Sequence, residues 1–235
     1  GSGLGIYAQR YDAGGIAQSS EFKVNTYTTI DQYDASITAL TGGGFVVTWS
    51  STGQDNSGLG IYAQRYDVNG VAQGSEFKVN TYTTIDQYDS SITTLTNNGG
   101  FVVTWTSSGQ DGNGTGIYAQ RYNTNGIAQG AEFKVNTFIT GDQTNASIIA
   151  LNGGGFVVTW TSSGQDGSGA GIYAQRYNAL GVAQNGEFKV NTFITGGQTN
   201  PSITALTNGG FVVTWESSGQ DGSGSGIYAQ RYAAN

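Results

Sequence analysis

The chain has 235 residues, a formal net charge of −7, and neither Cys nor His nor Met. Without Cys and His it has no disulfide, no thiolate nucleophile and no zinc site of the Cys/His type. Its nine Lys and Arg residues form no cluster, which argues against the basic stripe that nucleic acid requires. No apolar run reaches the length of a membrane span. The 39 Gly, 14 Tyr, 10 Phe and 4 Trp are typical of short strands joined by tight turns.

The N-terminal part of the chain contains four segments with the alternation of strands. In chain order they are "GIYAQRYD" (5–12), "EFKVNT" (21–26), "ASITAL" (35–40) and "GFVVTWSS" (44–51). In the second segment Phe22 and Val24 alternate with polar neighbours, a period of two that indicates a half-buried strand. The fourth segment is apolar on both faces except at Thr48, which predicts that it is the most buried strand. No stretch has a convincing helical period.

The same four segments recur along the whole chain. The phrase "GIYAQRY" begins at Gly5, Gly60, Gly116, Gly171 and Gly226. One Trp follows in each unit, at Trp49, Trp105, Trp160 and Trp215. We therefore divide a single repeat domain, residues 1–235, into units 5–59, 60–115, 116–170 and 171–225, with a partial fifth unit 226–235.

Four antiparallel strands in a unit of this length are the expected size of one propeller blade. The sequence therefore predicts an all-β, β-propeller-like fold of four repeats. The Trp of each "FVVTW" segment would pack between neighbouring blades. An open linear array or solenoid of the same units is the alternative, because periodicity does not distinguish a ring from a line.

The fifth copy of "GIYAQRY" leaves one strand more than four complete units require. One copy is surplus, or the chain is cut from a longer array, or the spare strand pairs with another molecule by strand addition. In the last case the contact is head to tail and need not close. The candidate assembly strands carry Ile6, Tyr7, Arg10, Ile227, Tyr228 and Arg231.

A Gly-rich turn in each unit holds one acidic residue, at Asp55, Asp111, Asp166 and Asp221. A carboxylate beside free backbone carbonyls is a candidate ligand for Ca²⁺. The turns lack the alternating acidic residues of a strong calcium loop, and an Asx turn explains the same pattern. We therefore expect no cofactor, with Ca²⁺ as the one candidate.

Three other polar patterns bear on function. Asn113 and Asn145 begin glycosylation acceptor sequences. The pairs Asp31/Asp34 and Asp86/Asp89 are absent as pairs from the last two units; we interpret them as solvated loop charges, with no base or nucleophile beside them. The Arg of "YAQRY" is expected to contact Tyr or the Glu of "EFK", with a sugar- or carboxylate-binding platform of Tyr, Gln and Arg as the alternative.

The full unit, "EFKVNT…SITAL…GGFVVTW…SSGQDGSG…GIYAQRY", resembles the tandem repeats of very large secreted bacterial surface proteins of the adhesin type. The resemblance covers nearly the whole chain and implies an extracellular or cell-surface location. We expect a non-catalytic structural or adhesive module that acts through multivalent surfaces, and not an enzyme. A self-assembling fibre subunit and a carbohydrate-binding, lectin-like propeller are the alternatives. The expected partners are thus a second copy of the chain or surface glycans, without nucleic acid.

Overall fold

The computed structural model describes residues 3–97 and 99–234. Strands and turns make up these residues, and no segment within them forms a helix that could cross a membrane. The strands are β1 (Tyr7–Tyr11), β2 (Ala17–Lys23), β3 (Gln32–Ala39), β4 (Phe45–Thr52), β5 (Leu59–Tyr66), β6 (Phe77–Lys78), β7 (Gln87–Thr94), β8 (Phe101–Ser108), β9 (Thr115–Tyr122), β10 (Phe133–Lys134), β11 (Gln143–Ala150), β12 (Phe156–Ser163), β13 (Ala170–Tyr177), β14 (Ala183–Lys189), β15 (Gln198–Ala205), β16 (Phe211–Ser218) and β17 (Ser225–Tyr232).

The strands form five antiparallel sheets in chain order. The first sheet is β1–β2, the second β3–β6, the third β7–β10, the fourth β11–β14 and the fifth β15–β17. Each complete sheet begins with the "SITAL"-type strand and ends with the "EFK" strand. The first sheet therefore has only the last two strand positions of a complete sheet, and the fifth sheet has only the first three.

The "FVVTW" strand occupies the second position of its sheet and is the most buried strand, as predicted. In the second sheet it pairs with β5 over its whole length, with Trp49 opposite Tyr62. Val46 and Trp49 have no exposed surface. A strand that has a neighbour on each edge and a sheet on each face has no solvated side, which explains why the "FVVTW" segment is apolar on both faces except at Thr48.

Successive sheets bury their faces against one another. Phe101, Val103 and Trp105 of the third sheet lie in one cluster with Ile61 and Ala63 of the second. The prediction that the Trp side chains pack between blades is confirmed. The first strands of the second to fifth sheets surround one cleft, so the β-propeller-like fold is confirmed over the linear array.

Hydrogen bonds tie the sheets together at fixed positions of the repeat. Between the second and third sheets, the Tyr122 hydroxyl donates to the Val79 carbonyl at 3.1 Å. The Glu132 carboxylate accepts from the Thr81 amide at 2.6 Å. Neighbouring units therefore satisfy some of each other's polar groups, which stabilises the contact between them.

Candidate functional site

The first strands of four sheets meet around an open axial cleft of about 400 Å³. We call it the axial cleft and define it by Asp34 of β3, Asp89 of β7, Asn145 of β11 and Asn200 of β15, together with the small residues that follow each of them. The four side chains occupy the same position of the repeat, and the fold brings them together from well-separated parts of the chain. The site thus carries two carboxylates on one half and two amides on the other.

An irregularity in each first strand positions these residues. The pairing of β3 with β4 shifts register between Tyr33 and Ser36, and β7, β11 and β15 shift at the same place. The residue within the shift is left-handed, with φ of 53° at Asp34 and Asp89 and 55° at Asn145 and Asn200. Asp and Asn tolerate this conformation better than other residues that carry a side chain. A bulge of this kind re-aims a side chain.

The acidic half of the cleft contains a perturbed carboxyl group. Asp89 is half-buried, and burial raises its pKa, with the charge of Asp34 as the second cause. In the amide half, the Asn145 side chain donates from Nδ2 to Oδ1 of Asn200 at 3.2 Å. Two neighbouring carboxyl groups, one of them with a raised pKa, are a pairing used for acid–base chemistry.

The two sequence pairs of carboxylates do not act as pairs in the structure. Asp31 accepts a hydrogen bond from the Leu4 amide at 2.7 Å, and Asp86 accepts one from the Leu59 amide at 2.9 Å. These two residues hold turns together. Asp34 and Asp89 lie instead within β3 and β7, where they line the axial cleft. Asp34 is exposed and Asp89 is half-buried, so these two residues belong to strands and not to loops.

The four candidate calcium ligands lie in separate sheets. Each caps its own turn with Oδ1; for example, the Ser57 amide donates to Asp55 at 3.2 Å and the Asn113 amide donates to Asp111 at 3.2 Å. Asp166 and Asp221 accept in the same way from Ser168 and Ser223. Oδ2 of Asp55 lies 3.7 Å from the Lys78 ammonium. Within residues 3–97 and 99–234, no three carboxylates gather as a metal site would require.

The remaining candidate residues are dispersed. Asn113 is exposed in a turn, whereas Asn145 belongs to the axial cleft. Of the candidate assembly residues, Ile6 is buried against the second sheet and Arg10 donates to the Asn69 carbonyl of that sheet. Tyr7 and Ile227 are exposed, as is Arg231, and Tyr228 is half-buried.

Smaller clefts lie between neighbouring sheets. The second and third sheets enclose about 290 Å³ beside Arg65, Tyr66 and Gln73. The fourth and fifth enclose about 350 Å³ beside the matching Arg176, Tyr177 and Gln184. Arg65 donates from Nη1 to the Asn125 carbonyl of the next sheet at 2.9 Å, whereas we expected a contact with Tyr or with the Glu of "EFK".

Comparison with known proteins identifies structures of the same fold but does not assign the chain to a family. No protein-family model and no curated protein matches the chain. Among solved structures, a protein of unknown function from Dyadobacter fermentans shares the fold with a TM-score of 0.67 and 12% identity over 98% of this chain and 68% of its own. A thermostable family-43 glycoside hydrolase has a TM-score of 0.54 and 12% sequence identity, over 86% of this chain and 71% of its own. The GH93 α-L-arabinofuranosidase of Fusarium graminearum has a TM-score of 0.59 and 11% sequence identity, over 86% of this chain and 62% of its own.

These comparisons contradict our expectation of a non-catalytic structural or adhesive module. Two of the three structures named above are glycoside-cleaving enzymes by name. At 11–12% identity the likeness itself shows only the fold. The expectation rested on the resemblance to surface-protein repeats and on the lack of a base or nucleophile beside the Asp pairs. It did not foresee that the fold places Asp34 and Asp89 in one cleft.

Proposed function

We propose that this chain is a carbohydrate-active protein whose axial cleft binds an oligosaccharide and hydrolyses a glycosidic bond. The observation that carries the proposal is that Asp34 and the half-buried Asp89, whose pKa is raised by burial and then by Asp34, lie in one open cleft with two amides. Glycoside hydrolysis generally requires two carboxyl groups that flank the bond, one of them protonated.

The electrostatics assign a role to each group. Asp89 donates its proton to the glycosidic oxygen as the bond to the sugar breaks, because its raised pKa keeps it protonated at higher pH. Asp34 is the second carboxylate, acting as nucleophile or as the base that activates water. The amides of Asn145 and Asn200 are suited to hydrogen bonds with sugar hydroxyls. The carboxylates disfavour acidic sugars, so the proposed substrate is a neutral oligosaccharide.

The test is hydrolysis of a panel of neutral aryl glycosides, arabinofuranosides and xylosides included. We expect Asp89→Asn to lower kcat/KM by about 10²–10⁴-fold, the range that a general acid supplies, while substrate binding remains. Glu21→Gln is the matched control, because Glu21 is an exposed carboxylate on β2 outside the cleft. The anomeric configuration of the product decides between the two roles of Asp34. Absence of turnover across the panel would contradict the hydrolytic proposal.

The clefts between the sheets support binding without hydrolysis as a second candidate. Arg65 and Arg176 stand at equivalent places beside Tyr and Gln, which is the platform of the lectin-like alternative. Glycan-array binding that survives the double variant Asp34→Asn/Asp89→Asn would favour these clefts over the axial cleft. Binding abolished by the double variant would assign the glycan to the axial cleft. An extracellular or cell-surface location remains a prediction from the sequence.

A further inference from the structure

The amide half of the axial cleft is a joined pair of side chains. Asn145 donates from Nδ2 to Oδ1 of Asn200 at 3.2 Å, and this bond connects β11 of the fourth sheet with β15 of the fifth. Both residues are exposed, and both line the cleft. The pair therefore presents its remaining hydrogen-bonding groups to whatever the cleft binds.

The free groups of the pair follow from the chemistry of the amide. A primary amide has two N–H donors and one carbonyl oxygen with two lone pairs. After the bond between them, Asn145 keeps its carbonyl oxygen as an acceptor and Asn200 keeps both N–H donors. The pair thus offers one acceptor and one donor side by side.

The backbone fixes the two amides before any ligand arrives. Both residues lie in the left-handed region at φ of 55°, at the register shift of their strands. The backbone amide of Asn200 also donates to Oγ1 of Thr161 in the fourth sheet at 3.2 Å. A recognition pair that is held in place in this way loses little conformational entropy on binding.

The backbone conformation does not explain why these two residues are amides. Asp34 and Asp89 have φ of 53° at the same repeat position, so the bulge accepts either side chain. The residue before each of the four changes with it, from Tyr in the acidic half to Thr in the amide half: Tyr33, Tyr88, Thr144 and Thr199. The two halves therefore differ as sets, which is what two separate tasks within one cleft require.

The order of the first strands places the amide pair beside one of the two carboxyl groups. β3 contacts β7, β7 contacts β11 and β11 contacts β15. Asp89 of β7 therefore borders the amide half, and Asp34 of β3 lies beyond it. Asp89 is also the group that protonates the glycosidic oxygen in the proposed reaction. A sugar bound to the amides thus has its glycosidic bond toward Asp89.

We propose that Asn145 and Asn200 together recognise two hydroxyl groups on adjacent carbons of the sugar next to the bond that is cleaved. This inference rests on the proposed hydrolytic function and names the specificity of the same cleft. One hydroxyl donates to Oδ1 of Asn145, and its neighbour accepts from Nδ2 of Asn200. Hydroxyl oxygens on adjacent ring carbons lie about a hydrogen-bond length apart, which suits two amides that are themselves hydrogen-bonded. A single isolated hydroxyl satisfies only one of them.

This role separates the two halves of the cleft in kinetic terms. The contacts of the amides are the same in the bound substrate and in the transition state, because neither hydroxyl reacts. Loss of such uniform binding raises KM and leaves kcat unchanged. Loss of a general acid lowers kcat instead. Asn145 and Asn200 are therefore specificity-determining residues, and Asp34 and Asp89 perform the chemistry.

The test removes both amides and keeps the backbone. Asn145→Gly/Asn200→Gly does this, because Gly adopts the left-handed conformation freely. Asn56→Gly is the matched control: Asn56 is exposed at φ of 66° in a turn outside the cleft. The equivalent residue of the next unit is Gly112, so this turn accepts Gly. The unfolding midpoint verifies that each variant is folded.

The probes are an aryl xyloside and an aryl arabinofuranoside, each with its 3-deoxy analogue. The 3-deoxy sugars keep two hydroxyls, but no two of them are on adjacent carbons. Binding is measured by calorimetry in proteins that also carry Asp89→Asn, so that no turnover occurs. The paired Gly variant should weaken binding of the full sugars by roughly 5- to 150-fold, the range for two hydrogen bonds. It should not weaken binding of the 3-deoxy sugars, and Asn56→Gly should change neither.

Kinetics with Asp89 present completes the test. The paired Gly variant should raise KM for the full sugars and leave kcat unchanged. Equal weakening for full and 3-deoxy sugars, or binding that the paired variant does not alter, would overturn the inference. Hydrolysis that ignores the 3-hydroxyl would refute the amide pair and retain the proposed function. Binding that depends on the 3-hydroxyl without any hydrolysis would refute the proposed function and retain recognition by the amide pair.

Discussion

Two regions of the molecule differ in how far equivalent residues vary from one repeat to the next. One region is the set of junctions between neighbouring sheets, and the other is the axial cleft. Between the first four sheets, equivalent Tyr residues make the same hydrogen bond to a Val carbonyl, and Trp49, Trp105 and Trp160 have no exposed surface. In the axial cleft, equivalent backbone positions carry carboxylates on one half and amides on the other. Packing between sheets demands the same shapes in every unit, whereas chemistry in a shared cleft requires that the units differ. Changes at the junctions should therefore alter stability, and changes in the cleft should alter reactivity.

The largest effect on stability is expected from Trp105→Ala. Trp105 is fully buried between the second and third sheets, and truncating such a residue costs about 3–5 kcal/mol. Denaturant unfolding measures the loss. The protein that remains folded should keep its binding and turnover in the axial cleft. Loss of turnover in folded protein would show that the two regions are coupled.

The second-largest effect on stability is expected at an Ile that occupies the same repeat position in the third and fifth sheets. Ile117 has no exposed surface, whereas Ile227 is 74% exposed. We expect Ile117→Ala to cost about 2–5 kcal/mol of unfolding free energy and Ile227→Ala to stay within about 0.5 kcal/mol. Chemical denaturation of both variants at the same protein concentration makes the comparison. Equal losses would mean that the fifth sheet is covered in the isolated chain.

A smaller effect is expected from Tyr122→Phe. This change removes the hydrogen bond to the Val79 carbonyl and leaves the ring stacked on Phe101, at a centroid distance of 5.0 Å. The expected loss is about 0.5–1.5 kcal/mol, the net worth of one hydrogen bond. Tyr11→Phe is the control, because Tyr11 is 64% exposed, and it should leave the unfolding midpoint unchanged.

The smallest change in stability is expected from Asp89→Asn, and at neutral pH it is a gain where the preceding changes are losses. Because burial and then Asp34 raise the pKa of Asp89, the folded state holds this proton more tightly than the unfolded chain. Wild-type stability should therefore fall as pH rises from the ordinary carboxyl pKa through the raised value, and should stay lower above it. Asp89→Asn should be the more stable protein at neutral pH and show a flatter pH profile. A variant less stable than the wild type at neutral pH would contradict this account.

Sequence patterns predicted the scaffold well because scaffold contacts recur in every unit. The period-two alternation around Phe22 and the apolar "FVVTW" run identified strands that the structure contains. The placement of Trp between sheets followed from its size and regular spacing. These inferences needed only neighbours in sequence and the assumption that each unit packs on a copy of itself.

The candidate site was missed because its members are far apart in the chain. Asp34 and Asp89 looked like loop charges, Asn145 like a glycosylation acceptor, and Asn200 was passed over. One signal was available: each follows by two residues a buried Gln, at Gln32, Gln87, Gln143 and Gln198. A polar residue at a constant offset inside a strand segment indicates a special backbone position, here the left-handed residue of a bulge.

The sequence alone determined the strands, their order, the repeat and the faces that must be buried, because alternation and spacing are local properties. Only the tertiary structure decided which strand of each sheet lies innermost, since that depends on how whole sheets pack around an axis. That decision brings two carboxylates and two amides into one cleft. Within the described residues it also divides 17 strands into three complete sheets and two incomplete ones, because strand partners are chosen by packing and not by position in the repeat.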